Sequence, residues 1–166
     1  MERQLFEIRQ EAERRIETNA DSAAKDAITD LRGRVAAEAA LVEASVSPSP
    51  MCAVVLLLDR LQLYNQRYGR EVGDKTLRFF AELLQRTFSS ESTLFRWAGP
   101  ALLMLRNGPV DKVQPEVRRV LESRIQYDCE TGSRHLLLSI DASWWVLPMM
   151  VDARLMINKI DSLTGN

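Results

Sequence analysis

Long apolar runs are what this chain most plainly lacks. No stretch approaches the ~20 residues that cross a bilayer, and its start, Met1-Glu-Arg-Gln, is charged where a secretion signal would be apolar. No membrane segment is expected, and the cytoplasm is the expected compartment. A charge excess is also missing. Lys plus Arg number 22 and Asp plus Glu 23, a net charge of -1, so there is no electrostatic case for nucleic-acid binding. Cysteine is scarce: Cys52 and Cys129 are the only two, which suits reduced cytosolic thiols rather than a disulfide framework. Histidine occurs once, as His135, with no nucleophile and carboxylate spaced to suggest a triad.

What is present is ordinary for a soluble globular protein: 46% hydrophobic and 27% charged over 166 residues, enough for one domain with an appendage. Residues 1–25 carry no Gly or Pro and are dense in Glu, Arg and Ala. Leu5, Ile8, Ala12, Ile16, Ala20 and Ala23 recur at three- and four-residue steps, a narrow apolar stripe on a charged helix. Two readings stand: a two-helix seam that makes a homodimer through Leu5, Ile8, Ala12 and Ile16, or an amphipathic helix lying on its own domain. The helical pattern runs on through Ala36 to Ala44 and is stopped by Ser47-Pro-Ser-Pro50, since proline has no amide hydrogen to donate.

Cys52-Ala-Val-Val-Leu-Leu-Leu58, closed by Asp59, reads as a strand buried on both faces. A short helix with Leu61, Leu63, Tyr64 and Tyr68 follows, then a helix with Leu77, Phe80, Ala81, Leu84 and Phe88 facing a core. Thr93-Leu-Phe-Arg-Trp97 and Ala101-Leu-Leu-Met-Leu-Arg106 are strand-like runs joined at Ala98-Gly99-Pro100. A helix is expected over 109–125, with Pro115 in its first turn, where a missing N–H breaks no bond. A single strand is expected over 135–146 and a last helix over 151–160. Cys129 is expected in a loop. Trp144 and Trp145 fall on opposite faces of their strand, so one of them could be exposed, with partial core packing the expected state.

This order and wording resemble the GGDEF family, the diguanylate cyclases, whose pattern runs D-x-D-x-F-K-x-x-N-D-x-x-G-H-x-x-G-D-x-x-L and later R-Y-G-G-D-E-F. Counting back from Gly73-Asp74, Asn65 falls on the family Asn, Tyr68-Gly69 on its aromatic-Gly pair, Asp59 on the second Asp and Leu57 on the first. Arg96-Trp97-Ala98-Gly99-Pro100-Ala101-Leu102 takes the place of R-Y-G-G-D-E-F. Upstream, Asp26, Thr29, Leu31 and Arg34 match the leading motif D-x-L-T-G-L-x-N-R, with departures at Asp30 and Gly33. Ser139-Ile-Asp-Ala142 resembles a family strand, and Asp152, Leu155, Lys159 and Asn166 its closing helix. The resemblance covers residues 26–166. It implies an α/β fold like that of nucleotidyl cyclases, with a central, largely antiparallel sheet flanked by helices and an N-terminal helical extension.

It also implies a site that is no longer equipped. The family holds metal with its first strand Asp and its hairpin D/E pair, and here those positions are Leu57, Pro100 and Ala101. Ala98 and Pro100 stiffen a turn that Gly-Gly leaves free to approach phosphate. Gln62 stands for the family Lys, Leu163 for its terminal Arg, and Ser89-Ser-Glu-Ser92 for the inhibitory R-x-x-D. No metal and no cofactor are expected, and no catalytic residue. Asn65 and Asp74, which in the family read guanine, and Lys159, which contacts phosphate, form a candidate remnant that leaves weak GTP binding open. Equally, Asn65 could close a turn and Asp74 could occupy the first turn of a helix. Asp59 is expected as a solvated strand end. The expectation is thus an inactive signalling or protein-interaction module, with a GTP sensor as the alternative and an active cyclase the least favoured.

Overall fold

The computed structural model describes residues 25–88 and 90–165, so Leu5, Ile8, Ala12, Ile16, Ser89 and Asn166 lie outside the described residues. The elements run α1 (Arg34–Ser45), β1 (Met51–Leu58), α2 (Leu61–Tyr68), α3 (Arg70–Thr87), β2 (Ser92–Ala98), β3 (Ala101–Asn107), α4 (Val110–Leu121), β4 (Ile125–Thr131), β5 (Arg134–Ile140), β6 (Ala142–Pro148) and α5 (Ala153–Thr164). β2, β3, β1 and β6 form a four-stranded antiparallel sheet in that order, and β4 with β5 forms a separate hairpin.

β1 is central because its apolar run satisfies two layers at once. Successive side chains of a strand point to opposite faces. Cys52, Val54, Leu56 and Leu58 pack with Leu77, Phe80 and Leu84 of α3 and with Val113 and Val117 of α4. Ala53 and Val55 pack with Ala37 and Leu41 of α1 and with Met156 and Ile160 of α5. Each large side chain buried this way is worth about 1.5–3 kcal/mol. Trp144 and Trp145 do take opposite faces, and both are half-buried. The β4–β5 hairpin is held by a third cluster, in which Cys129 and Leu138 meet Tyr64 and Val72, and by Phe79 stacked on Tyr127 at 4.4 Å.

Five expectations are corrected. The helix expected up to residue 125 ends at Leu121, and Ile125-Gln-Tyr-Asp-Cys-Glu-Thr131 is a strand, its alternation of apolar and polar residues matching one buried face. Cys129 is therefore buried in β4 and not in a loop. The strand expected over 135–146 breaks at Asp141 into β5 and β6, which belong to different sheets. The helix expected to run unbroken into Ala44 is interrupted, because Asp26 to Leu31 folds into a turn closed by Asp26 N–H on the Leu31 carbonyl. Pro115 lies in the second turn of α4, on its exposed face, not in the first turn, and it leaves the Asp111 carbonyl without its helical amide partner.

Among the described residues no helix is long and apolar enough to cross a membrane.

Candidate functional site

The C-terminal end of β1 faces the β2–β3 turn. Leu57 pairs with Ala101 on one side and Ser143 on the other, and the Leu58 amide donates to the Pro100 carbonyl at 3.0 Å. Gly99 turns the chain with φ +53°, a value that Pro100 cannot take and that other residues adopt at a cost. Arg96 locks the turn, donating from Nε and Nη2 to the Gly99 carbonyl at 3.3 and 3.0 Å. Leu57, Ala98 and Ala101 share one apolar cluster with Trp97, Trp145 and Leu163.

Magnesium takes hard oxygen ligands. Leu57, Pro100 and Ala101 offer no side-chain oxygen, and among the described residues no three His, Cys, Asp or Glu side chains converge as a metal site. Asp59, the nearest carboxylate along the chain, accepts from the Ser143 hydroxyl at 2.8 Å, while its amide donates to Asp141, which in turn pairs with Arg60 at 3.1 Å. Asp59 is exposed and ties β1 to β6. The residues at this corner do not fit a divalent cation.

Asn65 and Asp74 are brought together by the α2–α3 junction. Gly69, at φ +93°, ends α2 and begins α3, its amide donating to the Asn65 carbonyl at 3.0 Å. It is therefore the Asn65 main chain, not its side chain, that closes the turn. Among the described residues the side-chain Oδ1 is buried without a hydrogen-bond partner and lies where a Cβ on Gly73 would be, 1.6 Å away. Asp74 is the fifth residue of α3, past the first turn, where Glu71 is the acidic residue, and its half-buried carboxylate makes no hydrogen bond among the described residues. Both structural roles weighed for these side chains are thus corrected. Lys159 lies on α5, exposed, two residues before Asp161.

The Asn65 contact gives Gly73 its reason. Gly73→Ala is expected to cost about 1–3 kcal/mol of overpacking, reduced by the roughly 1 kcal/mol that Ala gains over Gly in a helix. In an Asn65→Ala background the same change should be neutral or stabilising in urea unfolding. Equal costs in both backgrounds would mean that the contact is not what excludes a side chain there.

Two ionic contacts around the hairpin were not anticipated. Arg96 Nη1 reaches Asp26 Oδ1 at 2.6 Å, so one guanidinium holds both the turn and the leading motif. Burial pushes the Asp26 carboxyl up, but hydrogen bonds from Thr29 and Arg96 outweigh it and hold the carboxyl below its usual range. Asp30, in the place of the family's Gly, takes φ +59°, which Asp tolerates better than most residues. On the other flank Asp161 accepts from Trp97 Nε1 at 2.9 Å and from Arg34 Nη2 at 2.6 Å, and the Arg34 guanidinium lies 4.3 Å over the Trp97 ring. The motif residues Asp26, Arg34 and Arg96 were visible in the sequence, whereas nothing marked Asp161.

A comparison with curated proteins finds no match. Among solved structures, the coiled coil and GGDEF domain of DgcB from Caulobacter crescentus, in complex with c-di-GMP, superposes with TM-score 0.73 at 20% identity, over 97% of this chain and 90% of that one. The diguanylate cyclase SiaD of Pseudomonas aeruginosa, in complex with its activator SiaC, gives 0.74 at 20% identity over 96% and 66%. The GGDEF domain of FimX from the same organism gives 0.70 at 20% identity over 84% and 90%. These likenesses speak for the fold. The sequence itself matches the family described as "Diguanylate cyclase, GGDEF domain" over residues 23–163, most of its length, and the chain therefore belongs to the GGDEF family.

Proposed function

We propose that this chain is a catalytically inactive GGDEF domain, spanning residues 26–166, which serves as a cytoplasmic signalling or protein-interaction module in cyclic di-GMP-type signalling. The observation that carries the reading is the apolar cluster that Leu57 and Ala101 share, at two positions where the family's chemistry needs carboxylates. Residues 1–25 supply self-association through Leu5, Ile8, Ala12 and Ile16. DgcB, described with a coiled coil beside its GGDEF domain, and SiaD, described with a protein activator, are parallels for a self-associating helix and for a protein partner.

Self-association is tested by placing charge in the seam. Ile8→Lys with Ile16→Lys should cost several kcal/mol, of order 2–7 for burying polar groups unpaired, and turn a dimer at high concentration into a folded monomer. An unchanged mass in sedimentation, or a parent that is monomeric at every concentration, speaks against the seam.

One observation favours a second reading, a weak GTP sensor. Asn65 Oδ1 lacks a partner and the adjacent Asp74 carboxylate is unspent among the described residues, and a carboxylate accepts well from the paired N–H groups of guanine. If this reading is right, GTP binds weakly, ATP hardly at all, and magnesium changes little. Asp74→Ala should then cost about 1.5–3 kcal/mol, the loss of a charge-assisted hydrogen bond. Titration calorimetry with and without magnesium decides among the readings. No heat at millimolar GTP, or equal affinity for ATP, leaves the interaction module. Tight binding that requires magnesium would point back to a cyclase.

A further inference from the structure

β6, Ala142-Ser-Trp-Trp-Val-Leu-Pro148, is an end strand of the four-stranded sheet and carries no charged residue. Only one of its edges is used. The Asp59 amide donates to the Asp141 carbonyl at 2.9 Å and the Met149 amide to the Met51 carbonyl at 3.2 Å, so odd-numbered residues along the strand turn their main chain toward β1. The N–H and C=O groups of Ala142, Trp144 and Val146 therefore point away from the sheet, and among the described residues they meet no partner.

The other edges are stopped. Arg32 runs beside β2 and accepts from the Arg96 amide at 2.9 Å. On the hairpin, Lys75 Nζ donates to the Glu130 carbonyl of β4 at 2.8 Å, and the Tyr64 hydroxyl donates to the Ser139 carbonyl of β5. Proteins blunt a strand edge with lysine, a bulge or a cover. Among the described residues β6 has none of these. Its register with β1 is unbroken from Ala142 to Pro148, and Trp144 and Trp145 stand half-buried on its two faces.

We propose that this edge is a docking surface for β6 of a second copy, the two strands pairing antiparallel about a two-fold axis at Trp144. In that register Trp144 faces its own counterpart and Ala142 faces Val146, so every outward N–H and C=O of the three residues finds a partner. Centring the pair on Ser143 leaves Val146 outside it, and centring it on Trp145 sets Ala142 against Pro148, which has no N–H. The side chains agree with this choice. Small residues face large ones, Ser143 against Trp145 and Ala142 against Val146, and the two copies of Trp144 make an aromatic cross-strand pair. Charge does not oppose it: the Arg118 guanidinium, 5.9 Å over the Trp144 ring, has the Glu122 carboxylate at 3.7 Å.

A strand of this length spans about 24 Å, a small contact beside the about 1,200–2,000 Å² of a free-standing interface. Pairing therefore needs high protein concentration or chains already gathered by another contact. Lys25, bridged to Arg32 beside β2, lies at the opposite edge of the sheet. The β6 contact thus stands apart from the self-association proposed above and, where both form, links one pair of chains to the next.

Trp144→Cys in the full chain, under a mild thiol oxidant, reads the register, since native Cys52 and Cys129 are both buried. Directly opposed hydrogen-bonded residues lie about 5.5 Å apart between Cα atoms, within the about 4.4–6.8 Å of a disulfide. In Val146→Cys the two thiols sit about 14 Å apart along the pair, out of reach. A disulfide-linked dimer is expected to form about tenfold faster or more in Trp144→Cys than in Val146→Cys. Equal rates mean random encounter, a faster Val146→Cys means another register, and no linked dimer means an edge that does not pair; each overturns the proposal. Should Trp144→Cys fail to fold, hydrogen exchange of the unsubstituted chain decides. The amides of Ala142, Trp144 and Val146 are expected to exchange about threefold more slowly, or slower still, at millimolar than at micromolar concentration, while those of Ser143, Trp145 and Leu147, bonded to β1, keep their rates. Rates that do not depend on concentration, or that fall alike for both sets, overturn the pairing.

Discussion

No cyclic di-GMP is expected from this protein when it is incubated with GTP and magnesium or manganese, even at high concentration and long times. Joining two GTP molecules requires metal to neutralise the triphosphate and to lower the pKa of the attacking hydroxyl. The side chains at the three positions that would hold it are those of Leu57, Pro100 and Ala101, and Leu57 and Ala101 face each other across β1 and β3. Leu57→Asp alone is not expected to recover activity. It places a carboxylate in the cluster of Ala98, Ala101 and Leu163, with no second carboxylate from the turn and a desolvation cost that favours the protonated form. Chromatography of the nucleotide products is the measurement. Product that forms in the parent and vanishes in Asn65→Ala would overturn the reading, because it would show turnover routed through the guanine-reading position.

How far the sequence could carry this is clearest from particular stretches. The run from Cys52 to Leu58 was legible as a two-faced strand because seven apolar residues without alternation leave few other fates. The turn at Gly99-Pro100 was legible because it breaks two such runs. β4 carried a readable signal, the alternation from Ile125 to Thr131, which the helical stripe through Val113, Val117 and Val120 absorbed when carried too far. The break at Asp141 left almost no trace, since one polar residue between two strands resembles an ordinary outward-facing position. At the site, substituted residues were visible by their chemical type. Their contacts were not: Oδ1 of Asn65 against Gly73, or Asp161 reaching Arg34 from 127 residues away, depends on packing that no local pattern encodes.

Asp161 is where the other large effect is expected. Its carboxylate joins three elements, taking hydrogen bonds from Arg34 on α1 and from Trp97 at the base of the hairpin while itself on α5. Trp97 is 2% exposed, so Trp97→Ala should cost about 3–5 kcal/mol in urea unfolding, from lost burial and the cavity left behind. Trp97→Phe, which keeps the ring and loses the N–H, should cost only about 1 kcal/mol beyond its volume change. Asp161→Ala strands both donors and should cost about 1.5–3 kcal/mol, the range for hydrogen bonds to a charged group. The pH dependence separates this from packing. Burial pushes the Asp161 carboxyl up, yet the bonds from Arg34 and Trp97 outweigh it and hold it below the usual range. A carboxyl lowered in the folded state contributes stability in full above its unfolded value near about 3.9 and loses it as the pH falls through the folded value. The gap between parent and Asp161→Ala should therefore be constant from neutral pH down to about pH 5 and close below about pH 4, while the Trp97→Ala gap persists in part, since a cavity does not titrate. If the Asp161→Ala gap stays open in acid, the carboxylate holds these elements by its shape and not by its charge.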